Sequence, residues 1–161
     1  MSVALRESVD RLSDPCNLDA TVEEVFGVVL GCQCRQIDNA TIGESQSVMA
    51  VIGFGGILSG ACVLHCGAKA AQEMAGHMTG ITFAALDATV QDAIGEICNM
   101  VAGGWKGRIP ELSAGCGMSV PAVITGCDYK VRVHTPQFQI QRWYAFDDVE
   151  FTVTIVCEGL Q

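Results

Sequence analysis

From residue 121 to the end of the chain, strand-like runs follow one another with no room between them for a helix. They cover residues 121–124, 130–135, 137–146 and 149–156. Two of them alternate strictly between polar and apolar residues: Lys130-Val131-Arg132-Val133-His134 and Glu150-Phe151-Thr152-Val153-Thr154-Ile155. Alternation sends successive side chains to opposite faces, the pattern of a half-buried strand. Parallel neighbours need crossover connections of about a dozen residues or more. These connections are far shorter, so the sheet must be mainly antiparallel, with one face expected to be wet.

Upstream, helical and strand periods are mixed. Val22, Val25, Phe26, Val29 and Leu30 recur at helical spacing and predict a helix over residues 19–30. Asp19 or Thr21 would cap it, Glu23 and Glu24 would favour its first turn, and Gly31 would end it. Residues 35–46 read as a polar connection with room for a short strand. Residues 47–54 and 59–66 read as a hairpin or bulged strand pair around Gly55-Gly56-Ile57-Leu58. These glycines do not make a nucleotide loop: the third glycine of a dinucleotide fingerprint would fall on Leu58, and no Walker lysine follows. A second helix is expected over residues 68–78, closed by Gly80. A third should start at a cap on Asp87 or Thr89 and run at least to Met100, towards Trp105. Gly103 and Gly104 weaken its end, and Ile109-Pro110 must close it. The fold class is therefore α+β, a mainly antiparallel sheet packed with long helices. A chain of 161 residues is most economically one domain. Residues 15–161 are assigned to it, and residues 1–14 to an N-terminal segment that need not be ordered.

Composition removes several classes of function. The longest nearly uncharged stretch, residues 47–65, is interrupted by Gly53, Gly55, Gly56 and Gly60, whereas a membrane span needs about 20 predominantly apolar residues. The N-terminus mixes both charges and has no apolar signal core, so a cytoplasmic location is expected. A net charge of −9 with only nine Lys and Arg leaves no basic patch for nucleic acid. The nine cysteines are odd in number and lack a Cys-x-x-Cys pair, and Cys32-Gln-Cys34 is too close for an ordinary zinc knuckle. They read as small buried hydrophobes, with no metal site expected.

The third helix carries the chemistry. In Asp92-Ala-Ile-Gly-Glu96-Ile-Cys-Asn99 two carboxylates and a carboxamide fall within an arc of about 60° on a helix. Val90, Ile94, Ile97, Val101 and Trp105 take the opposite side. No Ser-His-Asp or Cys-His arrangement accompanies this edge. Asp92 and Glu96 are one turn apart on a convex surface, which gives no cleft for acid–base chemistry and too few ligands for a metal. The alternative is an ordinary solvated helix face.

The stretch Asp92-x3-Glu96-x2-Asn99-Met100-Val-Ala-Gly103-Gly-Trp-Lys106, with Pro121 a little over twenty residues beyond Asn99, resembles the signature of the CheC/CheX/FliY family of chemotaxis phosphatases. One copy of the motif is most similar to CheX. The order of elements agrees with that resemblance over most of residues 15–160. It implies an enzyme that dephosphorylates a phosphorylated CheY-like response regulator. Asn99 would hold the attacking water, Glu96 would pair with the regulator's active-site lysine, and Asp92 would assist docking. Projection on the helix adds Gly95 and Gly103 as positions without bulk where a partner could approach closely. No cofactor is implied for this chain; Mg²⁺ would belong to the regulator. The resemblance also implies a homodimer joined through its sheets. Two other readings stand beside it: a non-catalytic CheX-like module that binds a regulator or a flagellar switch component, and a cysteine-based metal or redox protein.

Overall fold

The computed structural model describes residues 3–42, 45–127, 132 and 135–161. Its elements run α1 (Val3–Leu12), α2 (Pro15–Val25), a π-helical segment (Phe26–Leu30), β1 (Arg35–Ile37), β2 (Ser47–Gly56), β3 (Leu58–Gly67), α3 (Ala68–Thr79) and α4 (Ala88–Gly107). They continue with α5 (Pro110–Ser113), β4 (Cys116–Met118), β5 (Ala122–Gly126), β6 (Phe138–Phe146) and β7 (Val149–Leu160). The strands form one sheet in the order β1-β6-β7-β3-β2, and β4 and β5 share the outer edge of β2. Every pairing among the described residues is antiparallel. The strand expected over residues 130–135 rests on residues 130, 131, 133 and 134, which lie outside the described residues.

The helices pack on one face of the sheet. Val48, Ala50 and Ile52 of β2, Cys62 and Leu64 of β3, and Phe151, Val153 and Ile155 of β7 meet Leu18 and Val22 of α2, Met74 of α3, and Ile94, Ile97, Val101 and Trp105 of α4 in one core. Phe26 stacks on Phe151 at 4.8 Å, with Tyr144 and Phe146 beside them. The other face is less wet than alternation suggests: Thr152 is buried on it, because His65 of β3 and Trp143 of β6 stand opposite on either side.

The first long helix begins earlier than expected. Asp14 is the N-cap, its side chain accepting the Cys16 N–H at 2.9 Å, and Pro15 occupies the first turn. Asp19, expected as a cap, instead lies inside α2 and anchors β6. Arg142 donates to it from Nε at 3.0 Å and Nη2 at 2.7 Å, and the Tyr144 hydroxyl at 2.7 Å. Gly31 does end the helix, with φ of 66°. Within the N-terminal segment, α1 places Leu12 in the core and Arg11 beside Glu111. All nine cysteines are free thiols, seven of them buried and Cys16 and Cys127 exposed. Burial pushes the Cys66 thiol up to about 12, as it does for Cys34. Among the described residues no helix is long and apolar enough to cross a membrane.

Candidate functional site

The geometry of α4 follows from its caps and its buried side. The Asp87 carboxylate accepts the Val90 N–H at 2.9 Å and fixes the first turn. Val90, Ile94, Ile97, Val101 and Trp105 are fully buried, which orients the helix on the sheet. Cys98 anchors it further by directing its thiol at the backbone oxygens of Ala50 and Cys62, 3.6 and 3.7 Å away on β2 and β3. The helix continues through Gly103 and Gly104 instead of weakening there. A Cβ on Gly104 would lie 2.7 Å from the Thr21 methyl, so this glycine lets α2 and α4 approach closely.

With that face committed, Asp92 and Glu96 are exposed and Asn99 is half-buried on the opposite edge. Spacings of four and seven residues bring the three side chains onto one stripe. Among the described residues, none of the three side chains makes a hydrogen bond or ion pair within the chain. Folding therefore leaves the carboxamide of Asn99 with its donors and acceptor available.

Of the two glycines expected to make room for a partner, Gly95 faces the chain itself, and Gly103 is half-buried on α4. Gly95 is buried, and a Cβ there would lie 3.2 Å from the Val123 methyl Cγ2 and 3.4 Å from Pro121 Cγ. A Cβ on Gly103 would meet the end of Met118 at 3.6 Å. The small size of Gly95 thus seats β5 and the link before it against α4, whereas the Gly103 contact is an ordinary one. Helical projection gave the angle of each glycine but not what stood across from it.

That link borders the stripe. Between β4 and β5, Ser119 continues the ladder: its N–H donates to Gly53 O at 2.9 Å, and its hydroxyl accepts the Gly53 N–H at 2.8 Å. Val120 then turns outward, 85% exposed, and Pro121 rests on Gly95. Pro121, distant in sequence, is thereby brought beside the Asp92–Glu96–Asn99 edge. Val120 is a surface residue at this edge that sequence reasoning missed, since nothing local in the sequence marks an apolar residue as exposed.

An α+β protein whose described residues form a seven-stranded antiparallel sheet with helices on one face has the architecture of the CheX- and CheC-like chemotaxis proteins. CheX from Vibrio vulnificus superimposes with a TM-score of 0.75 at 23% identity, over 89% of this chain and 95% of that one. CheX from Desulfovibrio desulfuricans gives 0.75 at 21% identity, over 89% and 98%. The CheX of a CheX–CheY–BeF₃–Mg²⁺ complex from Borrelia burgdorferi gives 0.71 at 16% identity, over 91% and 99%. No curated protein matches the sequence. The family model for chemotaxis phosphatase CheX matches residues 48–141, more than half of the chain, and the protein belongs to that family. The matched region contains α4, Pro121 and four of the strands that pair around them.

Proposed function

We propose that this protein dephosphorylates a phosphorylated CheY-like response regulator and that Asn99 positions the attacking water. The observation carrying this reading is the Asp92–Glu96–Asn99 stripe, which lies on the side of α4 away from its buried face and is left unpaired by folding. Membership of a phosphatase family supports the reaction, and the Borrelia burgdorferi CheX complex with CheY, BeF₃ and Mg²⁺ supports the partner.

The chemistry needs little from this chain. An aspartyl phosphate on the regulator carries its own Mg²⁺ and a nearby lysine, so charge on the phosphoryl group is already balanced. What accelerates hydrolysis is a water held in line with phosphorus. The carboxamide of Asn99 accepts one hydrogen bond from that water and donates another to the phosphoryl oxygen side, and it does so in one protonation state. Water attacks phosphorus, the bond to the aspartyl oxygen breaks, and the products are a free carboxylate and inorganic phosphate. Glu96 holds the regulator's lysine by an ion pair and thereby sets the register of docking, and Asp92 adds to the same acidic edge. A cytoplasmic location and a homodimer joined through sheet edges belong to this reading.

Asn99→Ala is expected to lower stimulated phosphate release by about a hundredfold or more, the cost of losing a positioned water. The variant should melt like the parent, since no intrachain bond is removed. Phosphate release measured with a panel of phosphorylated regulators tests this. Undiminished turnover by Asn99→Ala on a regulator that the parent dephosphorylates would remove the assignment.

A further inference from the structure

Away from α4, the structure draws together three potential ligands that the sequence keeps far apart. Glu73 and His77 lie one turn apart on the same face of α3, and Asp147 comes from the turn between β6 and β7. One carboxylate oxygen of each acid and one ring nitrogen of His77 all lie within 4.8 Å of one another. His77 Nε2 is 3.0 Å from Asp147 Oδ2, and the ring stands edge-on to Phe146 with centroids 6.0 Å apart, which limits its rotation. The neighbouring turn acid, Asp148, is bound to Lys69 at 2.7 Å, so both ends of the turn are held on α3.

We propose that Glu73, His77 and Asp147 form a binding site for a divalent transition-metal ion of the zinc class. A His77–Asp147 ion pair accounts for two of the three groups. It leaves the Glu73 carboxylate as a third donor, with an oxygen within 4.8 Å of both partners and no hydrogen bond of its own among the described residues. One imidazole and two carboxylates form a donor set suited to Zn²⁺ and its neighbours. At metal–ligand distances of about 2.0–2.2 Å, tetrahedral ligand atoms stand about 3.4 Å apart. The His77–Asp147 separation is close to that already, and a rotamer adjustment of the half-buried Glu73 side chain brings in the third. Positions not filled by protein open onto a cavity of about 310 Å³, lined by Glu73, Gly76, His77, Ile81 and Phe83 among others. Water fills them. Such an ion would staple the β6–β7 turn to α3. Nothing in this inference depends on the phosphatase reading, because the site shares no residue with the α4 stripe.

The test is a calorimetric titration of the full chain with Zn²⁺, after replacing the two exposed thiols by Cys16→Ser and Cys127→Ser so that they do not compete. Saturable uptake of one ion per chain is expected, together with a rise in melting temperature. His77→Ala, Asp147→Asn and the isosteric Glu73→Gln should each weaken uptake at least tenfold and suppress that rise. Glu73→Gln is isosteric and removes no hydrogen bond of the fold, so it remains informative if either other variant folds poorly. Absence of saturable uptake overturns the proposal. So does full affinity in Glu73→Gln, which would reduce the cluster to the His77–Asp147 ion pair.

Discussion

Gly60 shows how far one atom decides whether this chain can fold. It sits at the register shift between β3 and β7, where a Cβ would lie 1.9 Å from the backbone oxygen of Val156 and 3.1 Å from Cys157 Cα. Neither obstacle is a side chain that could swing away, so an added methyl must separate the two central strands. Gly60→Ala is expected to cost more than about 3 kcal/mol, in the range of disruptive core substitutions. Gly107 is the contrast: it ends α4 with nothing within 4 Å of a Cβ. Gly107→Ala should be neutral or stabilising by up to about 1 kcal/mol, as helix propensity dictates. Urea unfolding of both variants checks the pair, and equal midpoints would refute the account. Sequence showed both positions simply as glycine. The difference lies in the strand opposite, which no local pattern records. By contrast, the Asp92–Glu96–Asn99 stripe was legible because it depends only on the helical repeat and on the apolar residues between.

At the scale of elements, boundaries were readable where local chemistry sets them and misread where tertiary packing intervenes. Gly31 and Gly80 end their helices as expected, both with positive φ. The start of α2 was placed too late because Asp19 followed by a helical apolar period looks like a cap. The Asp14-Pro15 pair was the stronger signal, and Asp19 was free for another use. That use is to join α2 to β6 through Arg142 and Tyr144, the Asp19 and Arg142 side chains being only 28% and 27% exposed. Asp19→Ala removes a two-pronged acceptor and leaves the Tyr144 hydroxyl, at 2.7 Å from it, without this partner. A loss of about 2–3 kcal/mol is expected, typical of hydrogen bonds to a charged group. Arg142→Ala should cost less, because Tyr144 keeps its acceptor. The double variant should cost less than the sum of the two single ones, since they share one interaction. A double-mutant cycle in urea tests this; strict additivity would show that the triad is not coupled.

For the whole molecule, the sheet turns one face to the helices and leaves the other to be closed by its own side chains. The antiparallel order was legible from short connections, and the family from one helix edge together with Pro121. The shielding of the far face was not legible, because it depends on which residues stand opposite in register. His65 is the group most exposed to that difference. It sits on the far face between Met49 and Thr152, both buried, with Nε2 3.2 Å from the Ser47 hydroxyl. Burial disfavours its charged form and lowers its pKa. In the unfolded chain the imidazole takes up a proton near pH 6.5, whereas in the folded chain it resists until lower pH. The unfolded state therefore binds more protons in this window, and stability present above about pH 6.5 is lost as pH falls below it. The carboxyls of Asp14 and Asp148 are held below their usual range by hydrogen bonds from the Cys16 N–H and from Lys69 respectively, so their own losses come at more acidic pH. Comparing the change in urea midpoint between pH 7.5 and 5.5 in the parent and in His65→Gln isolates this histidine, since the other two are common to both. The parent should lose stability over that interval, and His65→Gln, which retains a donor for Ser47, should lose less. An identical fall in both would mean that His65 accepts its proton within the fold without penalty, and that the far face is wetter at this position than the packing around it implies.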